Sequence, residues 1–358
     1  MNLFELKKLP PIKEIESKIV FKELTQAHRY LAELKGVAQT IPNQIILLNT
    51  LPLLEAKDSS AIENIITTHD ELYKEELFGE IIESPRAKEV FNYKKALLKG
   101  FEIVKEHKLL TNNQLIEIHQ TLSNSQTNFR KLPGTELKNQ QTNETVYIPP
   151  QNYNEIIELM INLENFINDD SISGLDPLIK MALIHYQFES IHPFYDGNGR
   201  IGRIINILYL VLKGYLDIPI LYLSRYIIKN KSEYYRLLQS IRETGEFEEW
   251  IIYILKGIQL ISIETIDIIH RIKDLMQNYK HKIREQYKFY SQDLLNNLFK
   301  HPYTKIEFLE KDLRITRQTA SKYLNELLEG KFLIKYKIKG QNYYINESLL
   351  NIFISENV

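Results

Sequence analysis

Apolar residues recur at three- and four-residue spacing along most of this chain, and that period restricts its fold more than any other feature. Leu159, Leu163 and Phe166 share one such face, and Met181 and Ile184 share another. A repeat of 3.6 residues places such side chains on one side of an α-helix, where they can be buried. We therefore predict a mainly α-helical protein. Its 358 residues suffice for two or three domains, each with its own core.

Composition excludes several classes of site and of protein. The chain has no cysteine, which excludes disulfide frameworks and thiolate metal sites. Its first residues are charged and lack the apolar stretch of a signal peptide. Its most apolar run, residues 204–212, is too short to cross a bilayer. We expect a cytoplasmic protein with no membrane segment.

Residues 135–150, TELKNQQTNETVYIPP, interrupt the helical pattern. The polar residues Thr142, Asn143 and Glu144 precede a run of β-type residues, 145–148, and two prolines end it. Turn residues ahead of such a run are typical of a hairpin. We predict a small β-hairpin on an otherwise helical body, with an irregular surface loop as the alternative.

The end of the chain has the pattern of a winged helix-turn-helix. Helices are predicted at residues 291–300, 306–312 and 316–328, and strands at 331–339 and 342–345. From residue 271 onward there are 16 Lys and Arg against 10 Asp and Glu, a net charge of +6, whereas the rest has 29 against 36, a net charge of −7. This asymmetry indicates a basic C-terminal module with a polyanionic partner.

Three of the 13 glycines fall within one short run, HPFYDGNGRIGR, at residues 192–203. Gly197 and Gly199 flank Asn198 in a turn that permits positive φ and the close approach of a ligand. The apolar residues that follow predict that this turn opens a buried helix. The backbone N–H groups of such a turn, together with the helix dipole, attract an anion.

Charged side chains around this turn complete a site for phosphate chemistry. Arg200 and Arg203 lie three residues apart on one helix face, from which both can reach phosphate oxygens. Asp196 supplies an oxygen ligand for Mg²⁺ bridging two phosphates. His192 can accept a proton near neutral pH. A base, a metal carboxylate, an anion nest and two arginines predict phosphoryl or nucleotidyl transfer.

The run at residues 192–203 resembles the Fic family signature HxFx(D/E)GNGRxxR and matches it at every specified position. The preceding HYQFESI, the predicted hairpin and the later segment LYLSRYIIKNKSEYY also resemble that family. The resemblance covers roughly residues 1–262 and, more loosely, the winged helix.

It implies a Fic helical bundle in which the hairpin is a flap that docks a target segment as an added strand. The predicted domains are an N-terminal helical region at 1–95, a Fic domain at 96–262, a connecting helix at 263–290 and a winged helix-turn-helix at 291–358.

The resemblance also implies an activity, transfer of AMP from ATP to a Ser, Thr or Tyr hydroxyl of a protein with release of pyrophosphate. In that mechanism His192 deprotonates the hydroxyl, Phe194 anchors the motif in the core, and Asp196 holds Mg²⁺. The implied phosphate-binding residues are Gly197, Asn198, Gly199, Arg200 and Arg203. Retention of the second arginine favours adenylylation over phosphorylation.

A second motif lies upstream, at Ser59, Glu63 and Asn64 in the sequence DSSAIEN. It meets the pattern (S/T)xxxE(G/N) of the family's inhibitory helix, whose glutamate pairs with the second arginine, here Arg203. The resemblance implies that Glu63 keeps the γ-phosphate of ATP from binding productively. The alternative from the residues alone is a capping box, in which Ser60 and Glu63 start a helix.

The third helix of the winged segment is predicted to face DNA. Its polar and basic residues are Arg317, Gln318, Ser321 and Lys322, and the wing adds Lys335, Lys337 and Lys339. Because Glu326 and Glu329 dilute this charge, protein contact or homodimer formation is the alternative. Two alternatives for the whole chain are a DNA-binding regulator whose Fic domain only senses nucleotide, and an enzyme that removes AMP from proteins.

Overall fold

A computed structural model describes residues 5–12, 15–67, 84–138, 142–338 and 341–354. Most of them are helical, as predicted. The helices are α1 Lys18–Gln39, α2 Ile45–Ile62, α3 Pro85–His107, α4 Asn112–Ser123, α5 Tyr153–Asn168, α6 Pro177–Ile191, α7 Asn198–Leu212, α8 Ser224–Lys229, α9 Lys231–Thr244, α10 Glu248–Gln286, α11 Gln292–Lys300, α12 Ile306–Leu313, α13 Arg317–Glu329 and α14 Glu347–Ile354. The strands are β1 Leu137–Lys138, β2 Thr145–Tyr147, β3 Tyr303–Thr304, β4 Ile334–Ile338 and β5 Gln341–Ile345.

The chain divides into two compact units. Of the described residues, the first unit contains 5–12, 15–35, 51–67, 84–138 and 142–263, and the second contains 36–50, 264–338 and 341–354. The helices α1, α2 and α10 therefore each contribute residues to both units. The four-part division inferred from the sequence stays a prediction.

Helix α6 forms the centre of the first unit. Every residue from Leu178 to Ile191 is buried, because the sequence is apolar on nearly all sides of this helix rather than on one stripe. Asp176 accepts a hydrogen bond from the N–H of Leu178 and caps its N-terminus. The next helix, α7, is also buried along most of its length. The segment between these two helices is therefore held on a rigid core.

The hairpin predicted at residues 135–150 is confirmed. Strand β1 pairs with β2 in antiparallel fashion, with Leu137 opposite Tyr147 and Lys138 opposite Thr145. The hydroxyl of Tyr147 donates to the carbonyl of Ser190 in the last turn of α6, over 2.9 Å. The base of the hairpin is therefore attached to the end of the central helix.

The second unit contains the three predicted C-terminal helices, and their bounds lie within one residue of those expected. Ser291 caps the N-terminus of the first of them, and Thr316 caps that of the third. Its antiparallel sheet has the order β3-β5-β4, and the sequence had indicated only β4 and β5. Tyr303 and Tyr343 form a small buried cluster between these strands. The order of elements is the one expected for a winged helix-turn-helix.

None of the helices in the described ranges combines the length and the apolar character that crossing a bilayer requires.

Candidate functional site

Residues 192–197 form a tight connection between α6 and α7, and residues 198–203 are the first turns of α7. His192 caps the C-terminus of α6 and adopts the left-handed conformation with φ 51° and ψ 57°. Helix α7 begins after Gly197, which has φ 77°, a value at which glycine carries no steric penalty. Asn198 closes the loop, because its side chain accepts from the N–H of Phe194 and donates to the carbonyl of the same residue. The Asn198 amide thus holds the turn.

Phe194 anchors this loop in the core, as the sequence predicts. Its side chain is fully buried, and its ring stacks on that of His119 with centroids 3.8 Å apart and an interplanar angle of 4°. His119, from α4, also makes a 2.9 Å hydrogen bond through Nε2 to the carbonyl of Asp196. Thr127 binds the other ring nitrogen of His119. His119 therefore contacts the loop at both Phe194 and Asp196 and is itself oriented by Thr127. The sequence did not indicate this role.

The N-terminus of α7 is the part of the site that can bind an anion. The first N–H groups of a helix have no intrahelical acceptor, and here they belong to Asn198, Gly199 and Arg200. A Cβ atom at Gly199 would lie 2.6 Å from Oε1 of Glu63. Any larger residue would therefore have to displace that carboxylate.

His192 lies directly before this turn. Burial, and after it the positive charge of Arg130, lowers the pKa of the His192 imidazole to about 4. The imidazole is therefore neutral at physiological pH and able to accept a proton.

Arg203 is completely enclosed and is bound by two residues of the upstream motif. Its Nε donates to Oγ of Ser59 over 2.7 Å, and its Nη2 donates to the carbonyl of Ser59 over 3.0 Å. The same Nη2 forms a 2.7 Å ion pair with Oε1 of Glu63. Burial alone would lower the pKa of Arg203, but the Glu63 charge raises it above its ordinary value. The pairing predicted from the sequence is present.

Glu63 also binds the first arginine of the motif. Its Oε2 lies 3.1 Å from Nε of Arg200. Arg200 is further paired with Glu89 at 2.8 Å and with Asp196 at 3.5 Å. Both arginines expected to hold phosphates are therefore occupied by carboxylates, and among the carboxylates of the described residues only Glu63 contacts both.

The upstream motif lies at the end of a helix, so the capping-box alternative is wrong. Ser59 and Ser60 are buried within the last turn of α2, which ends at Ile62. Glu63 follows in a turn, and Asn64 adopts φ 65°. Ser60 lies inside the last turn of α2, so it cannot be the N-terminal cap of a helix that starts there. Asn64 accepts a hydrogen bond from Nζ of Lys231 at 3.0 Å.

A second buried carboxylate fixes α2 one turn before Ser59. Glu55 accepts hydrogen bonds from the hydroxyl of Tyr93 in α3 and from both the N–H and the hydroxyl of Ser224. Burial raises the pKa of Glu55 to about 7, although these hydrogen bonds oppose the shift. The end of α2 is thus attached to α3, α7 and the start of α8.

Asp196 is the candidate metal ligand, and its surroundings fit that role. Its side chain is 90% exposed, with only a 3.5 Å contact from Oδ2 to Arg200, while Oδ1 accepts from the N–H of Gly197. Within the described ranges, no group of three or more acidic or histidine side chains could hold a metal alone. Mg²⁺ that binds through one carboxylate and substrate phosphates needs no such group.

Glu189 is a further site residue that the sequence did not indicate. It lies in α6, three residues before His192, and its Oε1 has no hydrogen-bond partner among the described atoms. Burial raises its pKa to about 7. A Cβ atom at Gly202 would lie 2.6 Å from that oxygen, so the third glycine of the motif makes room for Glu189.

Comparison with known families gives three matches along the chain. Residues 21–102 match the model of the Fic/DOC family N-terminal region, and residues 109–210 match the Fic/DOC family model. Residues 275–349 match the C-terminal domain of SoFic-like protein adenylyltransferases. The second match includes the whole of the turn described above.

Among curated proteins, the chain is similar to the protein adenylyltransferase Fic of Drosophila ananassae. The two are 27% identical over 173 residues, which are 47% of this chain and 33% of that protein. The protein adenylyltransferase fic-1 of Caenorhabditis briggsae is 27% identical over 101 residues, which are 28% of this chain and 18% of that one. The chain thus spans about a third or less of the length of these relatives.

Two solved structures show the same fold. A Fic family protein from Desulfovibrio desulfuricans superposes with a TM-score of 0.62 at 18% identity, over 94% of this chain and 98% of that one. Fic-1 from C. elegans superposes with a TM-score of 0.56 at 20% identity, over 70% of this chain and 73% of that one.

Proposed function

The chain belongs to the Fic/DOC family, and on that basis we propose that it is a protein adenylyltransferase. It would transfer AMP from ATP to a Ser, Thr or Tyr hydroxyl of a protein. One observation carries the proposal: a neutral His192 stands beside the N-terminus of α7, where two buried arginines lie in the first turns. The names of the curated relatives give the same activity.

In the proposed reaction His192 takes the proton of the target hydroxyl. The hydroxyl oxygen then forms a bond to the α-phosphorus of ATP, and the bond from that phosphorus to the bridging oxygen breaks. Pyrophosphate leaves with the electron pair of that bond. The N–H groups of the first turn of α7 bind the charge that develops on the phosphate, and Arg200 and Arg203 bind the terminal phosphates.

The activity can be tested with ATP labelled at one phosphate at a time. Label from the α-phosphate is expected on protein, and label from the γ-phosphate is expected only in pyrophosphate. Protein labelled from the γ-phosphate would indicate phosphorylation instead. A protein that removes AMP would show no net labelling and would release AMP from a target labelled beforehand. A regulator that senses nucleotide would bind ATP and do neither.

The proposal includes autoinhibition by Glu63. Its carboxylate occupies Arg200 and Arg203 together and places negative charge where the γ-phosphate would bind. An ATP molecule that enters this state lacks its two cationic contacts and meets a like charge. The described state is, on this proposal, the inactive one.

Mg²⁺ is the metal that the proposal requires, and Asp196 is the residue that would hold it. When bound, the ion neutralises charge on two phosphates of ATP. Two hydrogen bonds orient Asp196 for this role. Its Oδ1 accepts from the N–H of Gly197, and its backbone carbonyl is hydrogen-bonded to Nε2 of His119.

Replacing Asp196 with asparagine is expected to raise the Mg²⁺ concentration needed for half-maximal AMP transfer about tenfold or more, since a carboxylate ligand is lost. Asparagine keeps an oxygen that can accept from the N–H of Gly197, so the loop keeps its shape. The measurement is a Mg²⁺ titration of AMP transfer, together with calorimetric binding of ATP with and without Mg²⁺. An unchanged Mg²⁺ midpoint in both would show that the metal lies elsewhere.

The second unit has an exposed polar face that supports DNA as a partner. Arg317, Gln318 and Lys322 are exposed on α13, and Lys335 and Lys337 are exposed on β4. Glu326 and Glu329 lie on the same face of α13, which leaves protein contact or a homodimer as the competing use. Lys339 lies outside the described residues.

We expect the full chain to bind duplex DNA with an affinity that falls steeply with salt. Replacing Arg317 and Lys322 together with alanine should lower the slope of log affinity against log salt by about two, one for each lost phosphate contact. Replacing Lys282 and Arg284, both exposed on α10, together with alanine provides a charge-matched control. No binding at low salt, or equal slopes for all variants, would favour protein contact.

A further inference from the structure

The end of α6 is held by a buried arginine that the proposed mechanism does not use. The last carbonyls of any α-helix lack intrahelical donors. Here Arg130 supplies them: its Nε donates to the carbonyl of His192 over 2.8 Å, and its Nη2 donates to that of Ile191 over 3.3 Å. The backbone N–H of Arg130 also donates to the carbonyl of Pro193 over 2.8 Å. Three consecutive carbonyls around the base are thus bound by one residue.

The same arginine joins the two ends of the hairpin segment. Arg130 precedes β1, and its Nη2 also donates to the carbonyl of Pro150, which follows β2. Tyr147, from β2, binds the neighbouring carbonyl of Ser190. The end of α6 that carries His192 and the two ends of the hairpin are therefore held by one set of hydrogen bonds.

The energetic cost of this arrangement argues that it has a purpose. Arg130 is fully buried, and none of the carboxylates in the described ranges lies within ion-pair distance of it. Its Nη1 has no hydrogen-bond partner among the described atoms. The Glu155 carboxylate favours the Arg130 charge only from beyond ion-pair distance. A buried charge that no carboxylate contacts directly is expensive, and the carbonyl dipoles at a helix C-terminus offset only part of that cost. Capping a helix end needs no charge, since a glycine can do it.

We propose that Arg130 is a positioning residue, which fixes His192 in its left-handed conformation and sets the distance between this base and the hairpin. The inference rests on the proposed adenylyl transfer and names a residue on which its geometry depends. A target segment that docks on the hairpin would bring its hydroxyl to His192 only if the hairpin and the helix end stay in register. Displacing a reacting group by about 1 Å can cost about a hundredfold in rate.

The test uses the full chain in a Glu63→Gly background, so that activity is measurable. Arg130→Lys keeps the charge and the apolar stem but has its donors on a single nitrogen, which cannot reproduce the separate contacts of Nε and Nη2, and Arg130→Gln removes the charge. We expect kcat for AMP transfer to fall about 10- to 100-fold, with KM for ATP changed by less than about threefold because ATP binds to α7. Lys should retain more activity than Gln.

A double variant separates positioning from general damage. If Arg130 acts through His192, then adding Arg130→Lys to His192→Asn should reduce the residual rate no further, because coupled residues are not additive. Tyr147→Phe is the matched control on the hairpin side, since it removes one hydroxyl bond to the same helix end and no charge. It should lower kcat by a smaller factor.

The outcomes divide clearly. An unchanged kcat in Arg130→Lys, a rise confined to KM for ATP, or losses that multiply with those of His192→Asn would overturn the inference. If Arg130→Gln does not fold, the lysine and phenylalanine variants decide by the same measurements. A Glu63→Gly protein that transfers no AMP would instead overturn the proposed function and leave Arg130 as a structural cap.

Discussion

Glu63→Gly is expected to raise the initial rate of AMP transfer, including transfer to the protein itself, by about tenfold or more. The change removes a carboxylate that contacts both arginines of the motif, at 2.7 Å from Arg203 and 3.1 Å from Arg200. Removing one partner of a buried ion pair changes the free energy of the remaining charge by about 3–5 kcal/mol. A free-energy difference of about 1.4 kcal/mol corresponds to a factor of ten. Because Glu63 is partly exposed, only part of that energy will appear in the rate.

Three variants test the cause of the activation. Glu63→Gln keeps the size and the oxygen acceptor but loses the charge, so it should activate less than glycine but in the same direction. Ser59→Ala removes the acceptor for Nε of Arg203 and should activate weakly. Arg203→Ala combined with Glu63→Gly should abolish the gain, because the freed cation is what the γ-phosphate needs.

The measurement is incorporation of label from the α-phosphate of ATP at several ATP concentrations. If Glu63 inhibits by keeping the phosphates of bound ATP out of position, kcat should be higher in Glu63→Gly than in the wild type. A wild-type protein that already works at the rate of Glu63→Gly would exclude autoinhibition. A gain that survives the loss of Arg203 would show that Glu63 restrains some other group.

The sequence indicated the parts of this site that lie close together in the chain. His192, Asp196, the nest and the two arginines lie within twelve consecutive residues, and a glycine-rich turn before an apolar run has few possible conformations. The contact between Glu63 and Arg203 spans 140 residues, and a family motif was needed to expect it. Periodicity alone would have left Glu63 as a helix cap.

The missing parts depend on packing across the chain. His119 lies on α4 and Arg130 lies ahead of the hairpin, and the loop carbonyls that they bind, those of Asp196 and His192, are more than 60 residues away in the chain. A histidine on a helix face is most simply explained as part of the core. Glu189 looks like an ordinary helix residue until the central helix proves to be buried on every side. Burial on all sides arises only from the tertiary arrangement.

Asn198 shows a different limit of sequence reasoning. Its place between two glycines suggested that it lines the phosphate site, yet its side chain is used twice on the backbone of Phe194. The side chain of a residue in such a turn can hold the turn itself, and binding of phosphate by Asn198 stays a prediction. Short polar side chains do this readily, because they can bond to backbone groups a few residues away.

Removing the His192 imidazole is expected to lower AMP transfer about 10²- to 10⁴-fold, the usual contribution of a general base. Burial and the Arg130 charge hold the pKa of His192 at about 4, so the ring is unprotonated and able to act at neutral pH. No other histidine lies within residues 192–203 to replace it. ATP affinity should change little, because the phosphates bind to α7 and its arginines.

The choice of replacement matters, because His192 adopts φ 51° and ψ 57°. Alanine is strained in this left-handed region, whereas asparagine tolerates it. His192→Asn therefore removes the base while keeping the helix end, and His192→Ala adds a backbone penalty. If the rate loss comes from chemistry, the two variants should be equally inactive in a Glu63→Gly background, and the asparagine variant should melt at the higher temperature.

Calorimetry of ATP binding to His192→Asn measures whether the variant still binds its substrate. Binding close to that of the parent protein, with transfer lost, places His192 in the chemical step alone. Transfer at the parent rate would remove His192 from the mechanism. The alternative base would then be the buried Glu189, three residues earlier. Because burial raises the pKa of Glu189 to about 7, activity that depends on its carboxylate would fall as the pH drops below that value. A pH profile of the parent protein, which carries both groups, distinguishes the two bases, since a carboxylate of pKa about 7 loses its function as the pH falls through neutrality and an imidazole of pKa about 4 does not.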